Sequence, residues 1–189
     1  MKNTRSRGLA ATGVLGFTIA GLGVVAYAAP AAGQSTAARH PAAARPSPRC
    51  HTGDLTAGLR ALDPSAGGRH AVLTLRNDSG HACRVGGHAG LQLYADDGAE
   101  VPTNAVWAGG RGEHFTLIPG ASAFTRLDWG VVPAGDEPTT GTCEPGAARL
   151  AVTPPDEYTQ RTTAWPYGPV CAHGTITTGP LAPGIGPVY

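Results

Sequence analysis

From Cys50 onward, apolar and polar residues alternate in short runs and show no sustained helical period. Ala71-Leu73-Leu75, Leu91-Leu93, Phe115-Leu117, Leu127-Trp129 and Leu150-Val152 each put an apolar side chain on every second residue. This is the period of a strand with one face buried. Between the runs lie Asn77-Asp78-Ser79-Gly80, Asp96-Asp97-Gly98 and Pro119-Gly120, residue types that supply the positive or fixed φ of tight turns. Many short strands separated by turns predict an all-β domain. The expected architecture is a single antiparallel, immunoglobulin-like β-sandwich.

Within that frame, His70 to Asn77, Ala82 to Val85 and Gly90 to Ala95 predict a hairpin-rich antiparallel unit. Thr175 to Thr177 predicts a last strand. The segment from Thr153 to Val170 is rich in proline, which cannot donate to a ladder, so it is expected to be mostly loop. The Gly- and Pro-rich tail from Pro180 is expected to be loosely held. With 28 glycines and 17 prolines in the chain, a helical bundle is excluded on propensity.

Ahead of the domain the pattern changes twice. Lys2, Arg5 and Arg7 precede an apolar run from Leu9 to Ala28 that closes on Ala26-Tyr27-Ala28. A basic start, an apolar stretch and a small-x-small site form the order of a secretory signal, so residues 1–28 are expected to be cleaved. The alternative is a retained anchor through residues 9–28, since a run of that length could span a bilayer. The run's four glycines argue against permanent residence. Residues 29–49, dominated by Ala and Pro, carry too little apolar surface to offset ordering entropy and read as a disordered linker. Residues 50–189 then form one domain of ordinary size.

Charge narrows the partners. The domain from Cys50 holds eight arginines against thirteen acidic residues, a net of −5, and no basic stripe to neutralise phosphates, so a nucleic-acid partner is excluded. Lys2 is the one lysine of the chain. The mature protein therefore lacks an amine side chain for Schiff-base or phosphate-loop chemistry. Cys50, Cys83, Cys143 and Cys171 are even in number and contain no C-x-x-C pair, which points to disulfides in an oxidising compartment and away from structural zinc. Four cysteines allow three connectivities. Pairing Cys50 with Cys83 and Cys143 with Cys171 is preferred here, because each bridge then pins a segment within its own half of the domain.

Candidate chemistry is sparse. His51, His81 and His88 flank Cys50 and Cys83 and could converge on a metal, but no two have a spacing that places both on one element. Asp96, Asp97, Glu100, Asp156 and Glu157 could furnish the paired acids of a glycosidase. Asp96 and Asp97, however, sit where a turn wants them for backbone reasons. Ser65, Ser79 and Ser122 lie in no nucleophile-elbow motif. Asn77-Asp78-Ser79 matches a glycosylation sequon and is read as a turn. The feature most suggestive of binding is Trp165-Pro166-Tyr167-Gly168-Pro169, in which neighbouring prolines would hold Trp165 and Tyr167 for contact. The competing reading folds Trp165 back over the edge of the sandwich.

Taken together, these residues resemble a family of secreted actinobacterial proteins, domain of unknown function 4232. The resemblance rests on Cys50, on Leu75-Arg76-Asn77-Asp78-Ser79 leading to Cys83 and Gly86-Gly87, and on Leu91 to Gly98. It continues through Leu117-Ile118-Pro119-Gly120-Ala121-Ser122-Ala123, Trp129, Cys143, Leu150-Ala151-Val152 and Cys171. It spans nearly all of residues 50–182 and departs at Ala89, where a proline is expected. It implies a two-disulfide β-sandwich behind a signal or lipoprotein segment and a linker. It also supports the same cysteine pairing, and it supplies no catalytic residues. The expectation is a secreted, monomeric, non-catalytic domain that binds an extracellular protein, glycan or cell-wall component, with no cofactor and no membrane contact unless the signal is retained. A secreted hydrolase and a metal-binding module are the alternatives.

Overall fold

A computed structural model describes residues 47–188, which belong to the unit Ala44–Tyr189. The signal segment, the possible anchor and nearly all of the linker lie outside the described residues. The strands in chain order are β1 (Leu55–Ala61), β2 (Gly68–Asn77), β3 (Cys83–Val85), β4 (Gly90–Tyr94), β5 (Glu100–Val101) and β6 (Asn104–Trp107). They continue as β7 (Phe115–Leu117), β8 (Ser122–Gly130), β9 (Arg149–Thr153), β10 (Arg161–Ala164), β11 (Thr175–Thr178) and β12 (Ala182–Pro183). One sheet has the order β1-β2-β8-β11-β6, with β12 also on β8. A second has the order β10-β9-β4-β5, and β3 pairs with β7. The all-β sandwich expected from alternation is therefore what the chain forms. One pair breaks the antiparallel rule, since β6 runs parallel to β11.

The alternating runs supply the layer between the sheets. In β2 the side chains of Ala71, Leu73 and Leu75 are fully buried, as are Leu127 and Ile176 from neighbouring strands. Leu93, Leu150 and Val152 meet them from the second sheet, and all eight belong to one apolar cluster. Because side chains alternate between faces, His70, Val72 and Asp128 project from the opposite face of the first sheet.

Three sequence expectations are corrected. First, β2, β3 and β4 do not form a hairpin unit. The Asn77 amide donates to the carbonyls of His81 and Leu117 at 2.9 and 3.0 Å, closing β2 locally. The chain then crosses over, β3 pairs with β7, and β4 joins the second sheet. Second, the Pro-rich stretch contains β10, because its prolines flank Arg161–Ala164 and leave that strand's amides free to pair with β9. Third, the tail is tied down. β12 pairs with β8, Gly184 N–H donates to Ser122 O at 2.8 Å, and Arg60 donates to the carbonyls of Ile185 and Pro187. Gly186 (φ +73°) lies against Val72 and Phe124, so closely that a Cβ would stand 2.7 Å from the Phe124 ring and 2.9 Å from Val72. The tail thereby buries Val72 on what would otherwise be a solvent face.

Among the described residues no helix is long and apolar enough to cross a membrane. The described residues hold one helical turn besides a short 3-10 segment, α1 (Cys171–Gly174), whose Ala172 and His173 have left-handed φ values of 56° and 54°. That conformation is costly for residues with a Cβ. It is held by Cys171 at one end and by Glu137, whose Oε1 accepts the His173 N–H at 2.7 Å.

Candidate functional site

A hollow of about 540 Å³ lies where three loops meet. Gly86-Gly87-His88 contributes the stretch between β3 and β4. Trp107 comes from the end of β6, Gly109 to His114 from the loop that follows, and Pro155-Asp156 from the turn after β9. Gly86 is required by close approach, since a Cβ there would stand 2.5 Å from the Glu113 carbonyl oxygen. The two loops thus touch backbone to backbone and form a floor without side chains.

Trp107 stands over this floor, 62 % exposed. Its ring stacks on His88 at 5.3 Å between centroids and 18° between planes. The His88 Nε2–H donates to the Ala108 carbonyl at 3.1 Å, which fixes the tautomer and the ring orientation. Arg111, His114 and Asp156 line the same hollow. An aromatic face beside guanidinium, imidazole and carboxylate groups can stack on an apolar ring face while exchanging hydrogen bonds with hydroxyls around its edge.

The turn that carries Asp156 is anchored one residue further on. Glu157 accepts the Thr52 N–H and the Thr52 hydroxyl, each at 3.0 Å, and meets His51 Nδ1 at 3.1 Å and Arg49 Nε at 3.3 Å. The Thr52 amide is the main cause that holds this carboxyl below the usual range, against the opposing effect of burial. Asp156 itself has a left-handed φ of 62°. Its position in the hollow therefore depends on the Glu157 anchor.

The residues expected from sequence to form sites are dispersed. The four cysteines pair as preferred, Cys50 with Cys83 and Cys143 with Cys171, which suggests an oxidising, extracellular environment. The aromatic-loop expectation is corrected. Trp165 is 2 % exposed, donates its Nε1–H to Gly168 O at 2.9 Å and packs on Trp129 and Tyr167. Pro166 and Gly168 turn the chain so that the indole closes the sandwich and presents nothing to solvent. Tyr167 is half-buried in the same group, and burial raises its phenol pKa.

His51, His81 and His88 do not assemble. His51 faces Glu157, His81 lies 3.8 Å from Asp54, and His88 stacks on Trp107. The groups among the described residues that bring three ligand atoms within 4.8 Å of one another are elsewhere: Glu137 with the bridged Cys143 and Cys171, and Glu137 with Glu144 and His173. In the second group, Glu137 already accepts amides from Ala134 and His173, and the His173 ring nitrogens face Asp136 and Glu144. Asp97 serves its turn by accepting the Ala99 N–H. The sequon asparagine, Asn77, is fully buried with its amide donating to two carbonyls, so the folded domain offers no acceptor there.

Sequence reasoning missed Trp107, Arg111 and His114. The usable signal was an aromatic residue directly followed by Ala108-Gly109-Gly110-Arg111-Gly112, a turn-rich stretch that cannot bury the ring by itself. Residues 50–182 match a family model described as domain of unknown function (DUF4232). No curated protein and no solved structure matches the chain.

Proposed function

The chain belongs to the DUF4232 family, whose description assigns no activity, and from that premise we propose a function read from its site: an extracellular domain that binds a glycan through the Trp107 cleft. The observation that carries this reading is the exposed Trp107 ring stacked on His88 beside Arg111, His114 and Asp156. Large planar rings are normally covered in a folded domain, and one held open by a stacked neighbour loses little entropy on contact. Two disulfides support work outside the cytoplasm. The cleft acts by holding its ligand and needs no cofactor. The domain is taken to work as a monomer on cell-wall or other extracellular polysaccharide, with no nucleic-acid partner.

The test uses the secreted protein and insoluble cell-wall polysaccharides in a sedimentation assay, with Trp107→Ala beside wild type. Wild type should co-sediment with at least one polymer, and the variant should lose at least tenfold in affinity while keeping the same melting temperature. Equal binding by both proteins, or none by wild type, overturns the reading. Asp156→Asn serves as a second variant, expected to weaken binding without unfolding.

A further inference from the structure

We propose that Ser65, His70 and Asp128 form an acyl-transfer relay that hydrolyses short-chain esters at the surface of the first sheet. The three residues are brought together by strand register. His70 on β2 lies directly opposite Asp128 on β8, both on the face turned away from the core. His70 Nδ1 meets Asp128 Oδ1 at 2.5 Å, and His70 Nε2 meets Ser65 Oγ at 3.0 Å. A carboxylate on Nδ1 places the proton there, which leaves Nε2 free to accept from the serine hydroxyl. This is the order of contacts by which a serine is activated as a nucleophile, and such relays are identified by geometry and not by sequence position.

The surroundings suit the role. Ser65 is exposed at the corner of the β1–β2 hairpin, where Ser65 and Gly68 exchange backbone hydrogen bonds at 3.1 and 3.2 Å around Ala66-Gly67. The His70 side chain is only 16 % exposed, and Arg126 Nε fixes Asp128 Oδ1 from a second direction at 2.6 Å. Beside the relay lies an open hollow of about 330 Å³ whose walls include Gly67, Gly68, Gly130 and Ala172. The small residues beside Ser65 and the open mouth leave room for a short acyl group, such as an acetyl ester on a larger molecule. Ala66 and Gly67 donate no backbone hydrogen bond among the described residues. Their amides sit at and just after the position that follows the nucleophile, where serine hydrolases place an oxyanion donor.

In the reaction, Ser65 Oγ attacks the ester carbonyl carbon and its proton passes to His70 Nε2. Asp128 balances the charge of the imidazolium. Collapse of the tetrahedral species breaks the bond between acyl carbon and alkoxy oxygen, and the Nε2 proton goes to that oxygen, releasing the alcohol. Water, deprotonated by the same imidazole, then attacks the acyl-Ser65 ester. The products are the carboxylic acid and free Ser65, so ester and water give acid and alcohol. The relay shares no residue with the Trp107 cleft, and its activity is separate from binding there.

The test is hydrolysis of p-nitrophenyl acetate together with labelling by a fluorophosphonate, located by peptide mass mapping. Wild type should form one adduct, at Ser65. Ser65→Ala and His70→Ala should each lose at least a hundredfold in hydrolysis with melting temperature unchanged in the serine variant. Ser122→Ala should hydrolyse as wild type does, and because hydrolysis is read with no polysaccharide present, failure of this proposal is distinguishable from failure of the cleft reading. Absence of any adduct on folded wild type, an adduct elsewhere, or full activity in Ser65→Ala overturns it.

Discussion

The indole rings of Trp129 and Trp165 lie 4.8 Å apart between centroids and inclined at 50°, and through them β8 of one sheet is joined to the end of β10 in the other. Replacing Trp165 by Ala should therefore destabilise the domain by about 3–5 kcal/mol, the usual cost of a large aromatic cavity. That is a large fraction of a typical domain's net stability. Trp107→Ala, at an exposed position, should change stability by less than about 0.5 kcal/mol. Urea denaturation of the two variants separates a core ring from a surface ring. A Trp165→Ala midpoint equal to wild type would contradict the burial.

The bridge between Cys143 and Cys171 closes a separation of 28 residues. Cys143 lies in the long connection from Val131 to Ala148, which contains no strand, and the bridge ties that connection to α1. Loop-closure entropy puts the loss on removing such a bridge at about 3.5 kcal/mol. Cys143→Ala/Cys171→Ala should lower the melting temperature and raise amide exchange selectively between Val131 and Ala148. Exchange spread evenly over β2 and β8 would show instead that the bridge supports the whole domain.

How far the sequence was legible follows from the range of the interactions concerned. Leu73 and Leu75, or Leu127 and Trp129, announce their strands because alternation is local and needs no knowledge of the partner strand. The destination of β3 was illegible, because it is decided by Asn77 donating to Leu117, 40 residues away. β10 was hidden because prolines on both sides of Arg161–Ala164 looked like interruptions and are in fact boundaries. Trp165 left its expected binding role for a similar reason. Whether a loop aromatic turns inward depends on Gly168 accepting its N–H and on Trp129 waiting beneath, and neither is visible in a pentapeptide. The cleft and the Ser65–His70–Asp128 contacts arise from register and loop convergence, which no single motif records.

Glu137 makes stability depend on acidity. Its carboxylate accepts the His173 N–H at 2.7 Å and the Ala134 N–H at 2.7 Å. The first of these is the largest cause lowering its pKa from 4.5 to about 2, with burial opposing. A carboxyl depressed in the folded state stabilises that state fully above its unfolded pKa. The contribution is lost as pH falls from about 4.5 toward about 2. Glu137→Gln should remove this dependence, so that wild type and variant differ most at neutral pH and converge near pH 2. Denaturation midpoints at several pH values check the sign. A gap that widened on acidification would refute it.

The tail provides the last expectation. Val72 faces away from the core yet has no exposed surface, and what covers it is the tail at Gly186 together with Phe124. Arg60 holds that cover in place through the carbonyls of Ile185 and Pro187. Truncation after Pro183 keeps β12 but uncovers Val72 and part of Phe124, and re-exposing about one such side chain should cost roughly 2 kcal/mol. Gly186→Val should cost a similar amount by a different route, since its Cβ would meet the Phe124 ring and its φ of +73° is unfavourable for a branched residue. Arg60→Ala should fall between wild type and the truncation, because it removes the tether and leaves the cover able to settle. If truncation left the midpoint unchanged while Gly186→Val lowered it, the tail would be a passenger whose overpacking alone is harmful, and its role in completing the sheet would be disproved.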